Sequence, residues 1–279
     1  MFDLTIAIVN ITFFFVLAGA YLLRSALVGR RRHARTESDG GSVFLNKTTM
    51  EMVYWILDPI IDFLAALHIT PNMITLFSLL PAAGAGVALG FGWFGLASLL
   101  AVIATFCDIL DGLVARKTRV SSAAGEVLDA AVDRYSEMFF FGGLIYYYRS
   151  HDQVMFIVLA AIIGSFMVSY ATAKAEAMGV AAPRGAMRRG ERAAYLIFGA
   201  AFTPLSKLLF ANSASLALNE LPIILTLSIV AVVSNISVVQ RFGAINDLLR
   251  AKEKAPPVAP AADVTDPLGS KPDASAGQV

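Results

Sequence analysis

The 279-residue chain is 57% hydrophobic and 15% charged, with a formal net charge of +1. Soluble domains carry about 25% charged and about 45–50% apolar residues, so this surplus exceeds what a larger soluble core needs. One cysteine, Cys107, excludes a disulfide scaffold, and three dispersed histidines leave no zinc-ligand spacing.

In chain order, residues 4–23 carry no charge and match one bilayer crossing of about 20 residues. A cleaved signal peptide wants a basic start, but this stretch begins with Asp3, so it is read as a retained helix. Residues 24–45 are polar and basic, with Arg24, Arg30, Arg31, Arg32 and Arg35. Residues 47–68 mix apolar positions with Lys47, Glu51, Asp58, Asp62 and His68, which suits an interfacial amphipathic helix better than a span. Apolar segments follow at 72–90, 93–115, 127–148, 153–173, 193–211 and 221–240. From Ala255 the tail is rich in Pro, Ala and Asp without an apolar period, and is expected to be disordered. The expected organisation is an extra N-terminal span (1–24), a basic linker (25–45), a membrane domain (46–250) and a tail (251–279), with no internal repeat.

Lys and Arg set the orientation. The linker, the 116–120 loop (Arg116, Lys117, Arg119), the 174–192 connection (Lys174, Arg184, Arg188, Arg189, Arg192) and the end of the last span (Arg241, Arg250, Lys252, Lys254) are basic. The alternate side holds Arg149 and Lys207. Seven spans with the N-terminus outside place all basic loops in the cytoplasm.

The stretch DILDGLVARKTRVSSAAGEVLDAAVD puts Asp108, Asp111, Asp129 and Asp133 in or beside two apolar segments. An Asp near the centre of a span costs about 2.5–3.5 kcal/mol on insertion scales, so four need compensation. Asp108 and Asp111 are three apart and Asp129 and Asp133 four apart, so each pair shares a helix face. A hairpin around the 117–121 loop brings both pairs to similar depth. Protons or cations must then neutralise them. Oxygen ligands without thiol or imidazole favour Mg²⁺, Mn²⁺ or Ca²⁺, and a two-metal site suits phosphoryl transfer. Gly112 and Ala115 leave room beside the first helix and Gly125 beside the second, while Arg116 can reach a phosphate. The competing reading of these carboxylates is a proton or ion relay in a transporter.

This stretch resembles the signature of the CDP-alcohol phosphotransferase family, D-x2-D-G-x2-A-R-x8-G-x3-D-x3-D. Asp108, Asp111, Gly112, Ala115, Arg116, Gly125, Asp129 and Asp133 meet every spacing. The resemblance covers roughly 46–250 and includes Thr70 to Thr75 (TPNMIT). It implies an all-α integral membrane protein with a six-helix core, to which this chain adds the interfacial helix and the N-terminal span. It further implies a dimer with a polar cavity facing the cytoplasm. Members transfer the phosphoryl-bearing half of a CDP-linked substrate to an acceptor alcohol and release CMP. By analogy, Asp108, Asp111 and Asp129 bind two divalent metals, Mg²⁺ or Mn²⁺. Asp133 completes the metal shell and acts as general base. Asn72, Met73, Ile74, Thr75, Gly112, Arg116 and Ser122 hold the CDP moiety.

The acceptor is read from SYATAKAEAMGVAAPRGAMRRGER, residues 169–192. Its start resembles SYxKARAE of the branch that uses inositol phosphate. Thr172 stands at that branch's Lys position and Lys174 at its Arg position, so one cation is lost and one loses its bidentate fork. Lys174, Arg189, Arg192 and Arg241 are the acceptor-binding candidates. The bland reading makes such arginines topology determinants and lipid contacts. The expected function is transfer of the phosphatidyl group from CDP-diacylglycerol to a phosphorylated polyol, such as inositol phosphate or glycerol phosphate, without nucleic acid. The alternatives are a CDP-aminoalcohol:diacylglycerol phosphotransferase and, from another class, an ion-coupled transporter or inactive membrane scaffold. Cys107, His33, His68, His151 and the aromatic clusters at 139–141 and 146–148 take structural readings: packing, interface and loop.

Overall fold

The structure, a computed structural model, describes residues 1–29, 47–120, 122–181, 185 and 187–254. The expectations for Arg30, Arg31, Arg32, His33, Arg35, Arg184 and the tail from Ala255 lie outside the described residues. Among those described, every regular element is a helix: α1 (Phe2–Val28), α2 (Lys47–Ala66), α3 (Pro71–Gly90), α4 (Phe94–Thr118), α5 (Ala123–Tyr147), α6 (Asp152–Ala177), α7 (Arg189–Leu209), the single turn α8 (Leu216–Asn219) and α9 (Leu221–Lys254).

Local chemistry sets several of these ends. Pro71 opens α3, where its missing N–H is not needed. Arg119 adopts a left-handed conformation (φ 56°) that stops α4. Three residues later Ser122 caps α5 by accepting the Gly125 amide at 3.1 Å. At the start of α7 the Glu191 carboxylate accepts the Arg188 amide at 2.7 Å.

Five helices, α1, α3, α4, α6 and α9, are long and apolar enough to cross a membrane. The expectation of seven spans counted α5 and α7 as well. Both are long enough, at 25 and 21 residues, but their first halves carry the ionisable groups described below. Both helices begin four residues before their expected apolar segments, α5 where Ser122 caps it and α7 where charged Arg189, Glu191 and Arg192 form the first turn. α9 continues past the expected end at 240 to Lys254, and α1 runs on to Val28, so linker and tail are shorter than expected. Outward surfaces are strongly apolar: Phe13, Phe15, Phe77, Phe156 and Val239 are each more than half exposed. Soluble monomers rarely expose such patches, whereas a bilayer covers them. The chain is an integral, multi-pass membrane protein.

The core forms where α3, α4, α5, α6, α7 and α9 meet, around Leu89, Phe94, Phe141, Leu144, Val158, Ile223 and Leu227. Two glycines let α3 and α5 touch backbone to backbone. A Cβ at Gly86 would collide with the Phe139 carbonyl, and one at Gly143 with the Gly86 carbonyl. This contact fixes the position of α5, and hence of its carboxylates, against α3. At the far end of α5, Tyr147 Oη donates to buried Glu220 at 2.5 Å. Lys207 pairs with the same carboxylate at 3.0 Å and lies over the Phe94 ring at 4.5 Å.

Candidate active site

α4 and α5 form the expected antiparallel hairpin. Asp108 stands ten residues before the end of α4, and Asp133 ten residues after the start of α5. At about 1.5 Å per residue both lie roughly 15 Å from the hairpin turn. Ligand oxygens of Asp108, Asp129 and Asp133 lie within 4.8 Å of one another.

Asp111 behaves differently. It is buried and accepts a hydrogen bond from Thr75 Oγ1 at 2.6 Å, which ties α4 to the start of α3. It is not one of the three convergent carboxylates. Asp129 Oδ1 and Asp133 Oδ1 are buried without a hydrogen-bond partner among the described residues. Orphaned carboxylate oxygens in an oxygen-only cluster are the donor set that a hard divalent cation needs. The residues present therefore fit such an ion.

Arg189, an acceptor-binding candidate at the first position of α7, lies among the carboxylates. Its guanidinium pairs with Asp108 at 3.1 Å and with Asp133. It supplies positive charge inside the carboxylate cluster. Arg192, a second such candidate, is enclosed by the protein. It is 1% exposed and bonds Glu137 through Nε (3.2 Å) and Nη2 (2.9 Å). Glu137 also pairs with Arg134 at 2.8 Å, and Arg134 donates to Ser169 at 2.6 Å. Sequence reasoning missed Glu137 and Arg134. The signal for Glu137 was available, since it stands four residues after Asp133 on the same face of α5.

The nucleotide candidates separate into two groups. Asn72, Ser122 and Gly125 come together at the N-terminus of α5. A Cβ on Gly125 would stand 3.2 Å from Ser122 Oγ and 3.3 Å from Asn72 Oδ1. The Arg116 guanidinium folds back over Gly112, 3.4 Å from where a Cβ would be. The amides at the start of α5 suit an anion, and the Arg116 guanidinium over Gly112 is a second anion-binding group on α4. Met73 and Ile74 join neither. Met73 is exposed on the outer surface, and Ile74 is buried against Leu57 and Ile61 of α2.

Arg241 is buried, as an acceptor ligand would be, and donates to Thr172 Oγ1 at 2.5 Å. Arg188 and Arg192 act on its charge. Lys174 lies exposed near the end of α6 and is not drawn into this group.

A cavity of about 130 Å³ opens beside the carboxylates. Its wall changes character along each helix: Asp108 to Ala104 to Ala101, Asp133 to Glu137 to Phe140, Arg189 to Ala193 to Leu196. Charge at one end and apolar side chains at the other suit a substrate with a phosphorylated head and a hydrocarbon body.

A sequence family described as CDP-alcohol phosphatidyltransferase matches residues 68–233. The chain is similar to a phosphatidylinositol phosphate synthase of Streptomyces avermitilis, 27% identical over 77% of this chain and 90% of the relative. It is similar to an archaetidylinositol phosphate synthase of Pyrococcus horikoshii, 34% identical over 50% of this chain and 73% of that protein. The crystal structure of Mycobacterium tuberculosis phosphatidylinositol phosphate synthase with CDP-DAG bound superposes with a TM-score of 0.58. It is 25% identical and covers 67% of this chain and 92% of its own. The same Mycobacterium protein has been solved with manganese and citrate, at the same TM-score of 0.58.

Proposed function

The chain belongs to the CDP-alcohol phosphatidyltransferase family, and from that premise we propose that it transfers the phosphatidyl group of CDP-diacylglycerol to a phosphorylated polyol. It is a metal-dependent phosphotransferase of phospholipid biosynthesis. The observation that carries the reading is the convergence of Asp108, Asp129 and Asp133 at the charged mouth of an apolar-walled cavity.

Asp108, Asp129 and Asp133, with Asp111 behind them, would hold two Mg²⁺ or Mn²⁺ ions. The ions supply charge neutralisation on the diphosphate. Asn72 and Ser122 at the start of α5, with Gly112 and Arg116 on α4, receive the CDP phosphates. Thr75 holds Asp111 in register. Gly125 keeps the approach open. Asp133 takes the proton from the acceptor hydroxyl. That oxygen then bonds to the phosphatidyl phosphorus, the bond from this phosphorus to the bridging oxygen breaks, and CMP leaves with the bond electrons. Arg189, paired with Asp133, orients the base and adds positive charge where the transferring phosphoryl group passes.

The acceptor's own phosphate finds a second cationic pocket. Arg192 Nη1, Arg241 Nε and Ser237 Oγ are buried without partners among the described residues. Gly185 faces this pocket, since a Cβ there would meet Ser237 Oγ and lie 2.5 Å from Arg241 Nε. Unused buried donors of this kind favour an anion. Lys174, exposed in the last turn of α6, would attract the charged acceptor by its charge alone. The resemblance also makes the working unit a homodimer, which cross-linking in native membranes would test. The lysine and arginine distribution directs the site to the cytoplasm.

The test is CMP release by detergent-purified protein given CDP-diacylglycerol, Mg²⁺ or Mn²⁺, and inositol phosphate, glycerol phosphate, inositol or serine. Metal-dependent release with a phosphorylated polyol is expected. Release with serine or free inositol alone would remove the acceptor reading, and no release with any acceptor would remove the reaction.

A further inference from the structure

The family match begins at residue 68, so α1 and α2 lie outside it. α1 is nevertheless fastened at both ends. The Asp3 carboxylate accepts the Leu96 amide at 2.9 Å, one of the free amides in the first turn of α4. Gly95 permits this approach, because a Cβ there would collide with the Asp3 carbonyl. Asn10 donates to Ser98 Oγ of α4 at 3.1 Å, and Phe14 meets Phe198 of α7 edge-on at 5.5 Å. At the other end Tyr21, 1% exposed, donates to Glu51 Oε2 of α2 at 3.0 Å. The Tyr21 ring lies 6.0 Å from Trp55, and Arg24 sits over Trp55 at 5.9 Å.

The polar contacts of α1 fall at positions 3, 10 and 21. Steps of seven and eleven residues return to nearly the same face of a helix, so these side chains form one inward stripe. A plain membrane anchor needs no such stripe. α2 continues the connection. Leu57 and Ile61 pack with Ile74, Leu110 and Val114, and Asp62 pairs with Lys117. Ile74 and Lys117 lie outside the nucleotide-binding groups but on the helix turns that carry Asn72, Thr75 and Arg116, so α2 packs behind the elements that form them.

We propose that α1 is a positioning helix which, through the Tyr21–Glu51 contact, seats α2 against the nucleotide side of the active site. CDP-lipid affinity then depends on a helix outside the family core. The inference rests on the CDP-lipid reading above.

The experiment uses the full chain with Tyr21→Phe, Glu51→Leu and the double variant. Each single change should raise KM for CDP-diacylglycerol about threefold to tenfold, the range of one lost hydrogen bond. kcat and the acceptor KM should hold, and the double variant should be no worse than either single one. In a Trp93→Phe background, the emission of Trp55 should shift to the red with Tyr21→Phe. An unchanged KM for the CDP-lipid, or a parallel loss of kcat, would overturn the proposal. A parent chain that releases no CMP would remove the CDP-lipid reading. Even then, unmoved Trp55 emission would separately overturn the seating of α2 by α1.

Discussion

Asp133 stands apart from its two neighbours because it is both nearly enclosed and ion-paired. Arg189 reaches it from α7, and one of its oxygens is left without a partner. That combination suits a group that must hold an orientation and still accept a proton. Asp133→Asn keeps the shape and removes the basicity. Turnover should fall about 10²–10⁴-fold, the usual contribution of a general base, while CDP-lipid still binds in a filtration or thermal-shift assay. Thr75→Val asks a subtler question. Thr75 is the partner of Asp111, and losing an outer-shell partner of a metal site costs about 10–100-fold in metal affinity. The Mn²⁺ concentration for half-maximal rate should rise on that scale, with the maximal rate largely kept. The convergence of Asp108, Asp129 and Asp133 was legible from spacing, because i, i+4 offsets survive folding into a helix and a hairpin pairs the two helices, whereas Asp111 turns to Thr75 instead. Arg189 was legible only as a cation. Its partner Asp108 is 81 residues earlier, and no local period reports such a contact.

At the scale of elements, the site depends on how closely α3 and α5 approach. Gly86 and Gly143 face each other with no space for a Cβ on either. Gly143→Val must separate two backbones rather than shift a flexible side chain. Overpacking of this kind costs about 1–3 kcal/mol or more, so the unfolding temperature in detergent should drop and activity should fall with it. Gly142, one residue earlier, has open space at its Cβ position and serves as the control. Gly142→Ala should leave both measurements near those of the parent. The order and number of long helices were legible because bilayer thickness imposes a length on every apolar run. Their ends were less so. α7 extends beyond its apolar stretch because its first turn carries Arg189, Glu191 and Arg192, which hydropathy counts as reasons to stop, and α5 starts early where Ser122 caps it ahead of the apolar run.

For the whole molecule, charge is divided between the two ends of the bundle. The carboxylate cluster, Arg116, Arg189 and Arg241 gather toward the end where the basic loops lie. The opposite end holds a compact group in which Tyr147 and Lys207 both meet Glu220. That far group joins helix ends through buried Glu220, which marks it as a fastening. If the basic end faces the cytoplasm, the two loops flanking α5 lie on opposite sides of the membrane, about 37 Å apart along a 25-residue helix at about 1.5 Å per residue. Val120 and Ser150 are exposed in these loops, and neither substitution to cysteine changes a charge. The native Cys107 is buried, so background labelling should be low. With an impermeant maleimide on intact cells, Ser150→Cys should label directly, and Val120→Cys only after permeabilisation. The reverse pattern would mean that the lysine and arginine count is overruled in this chain. The carboxylates would then face away from the cytoplasm, and the proposed supply of CDP-lipid and charged acceptor from that side would fail with the topology.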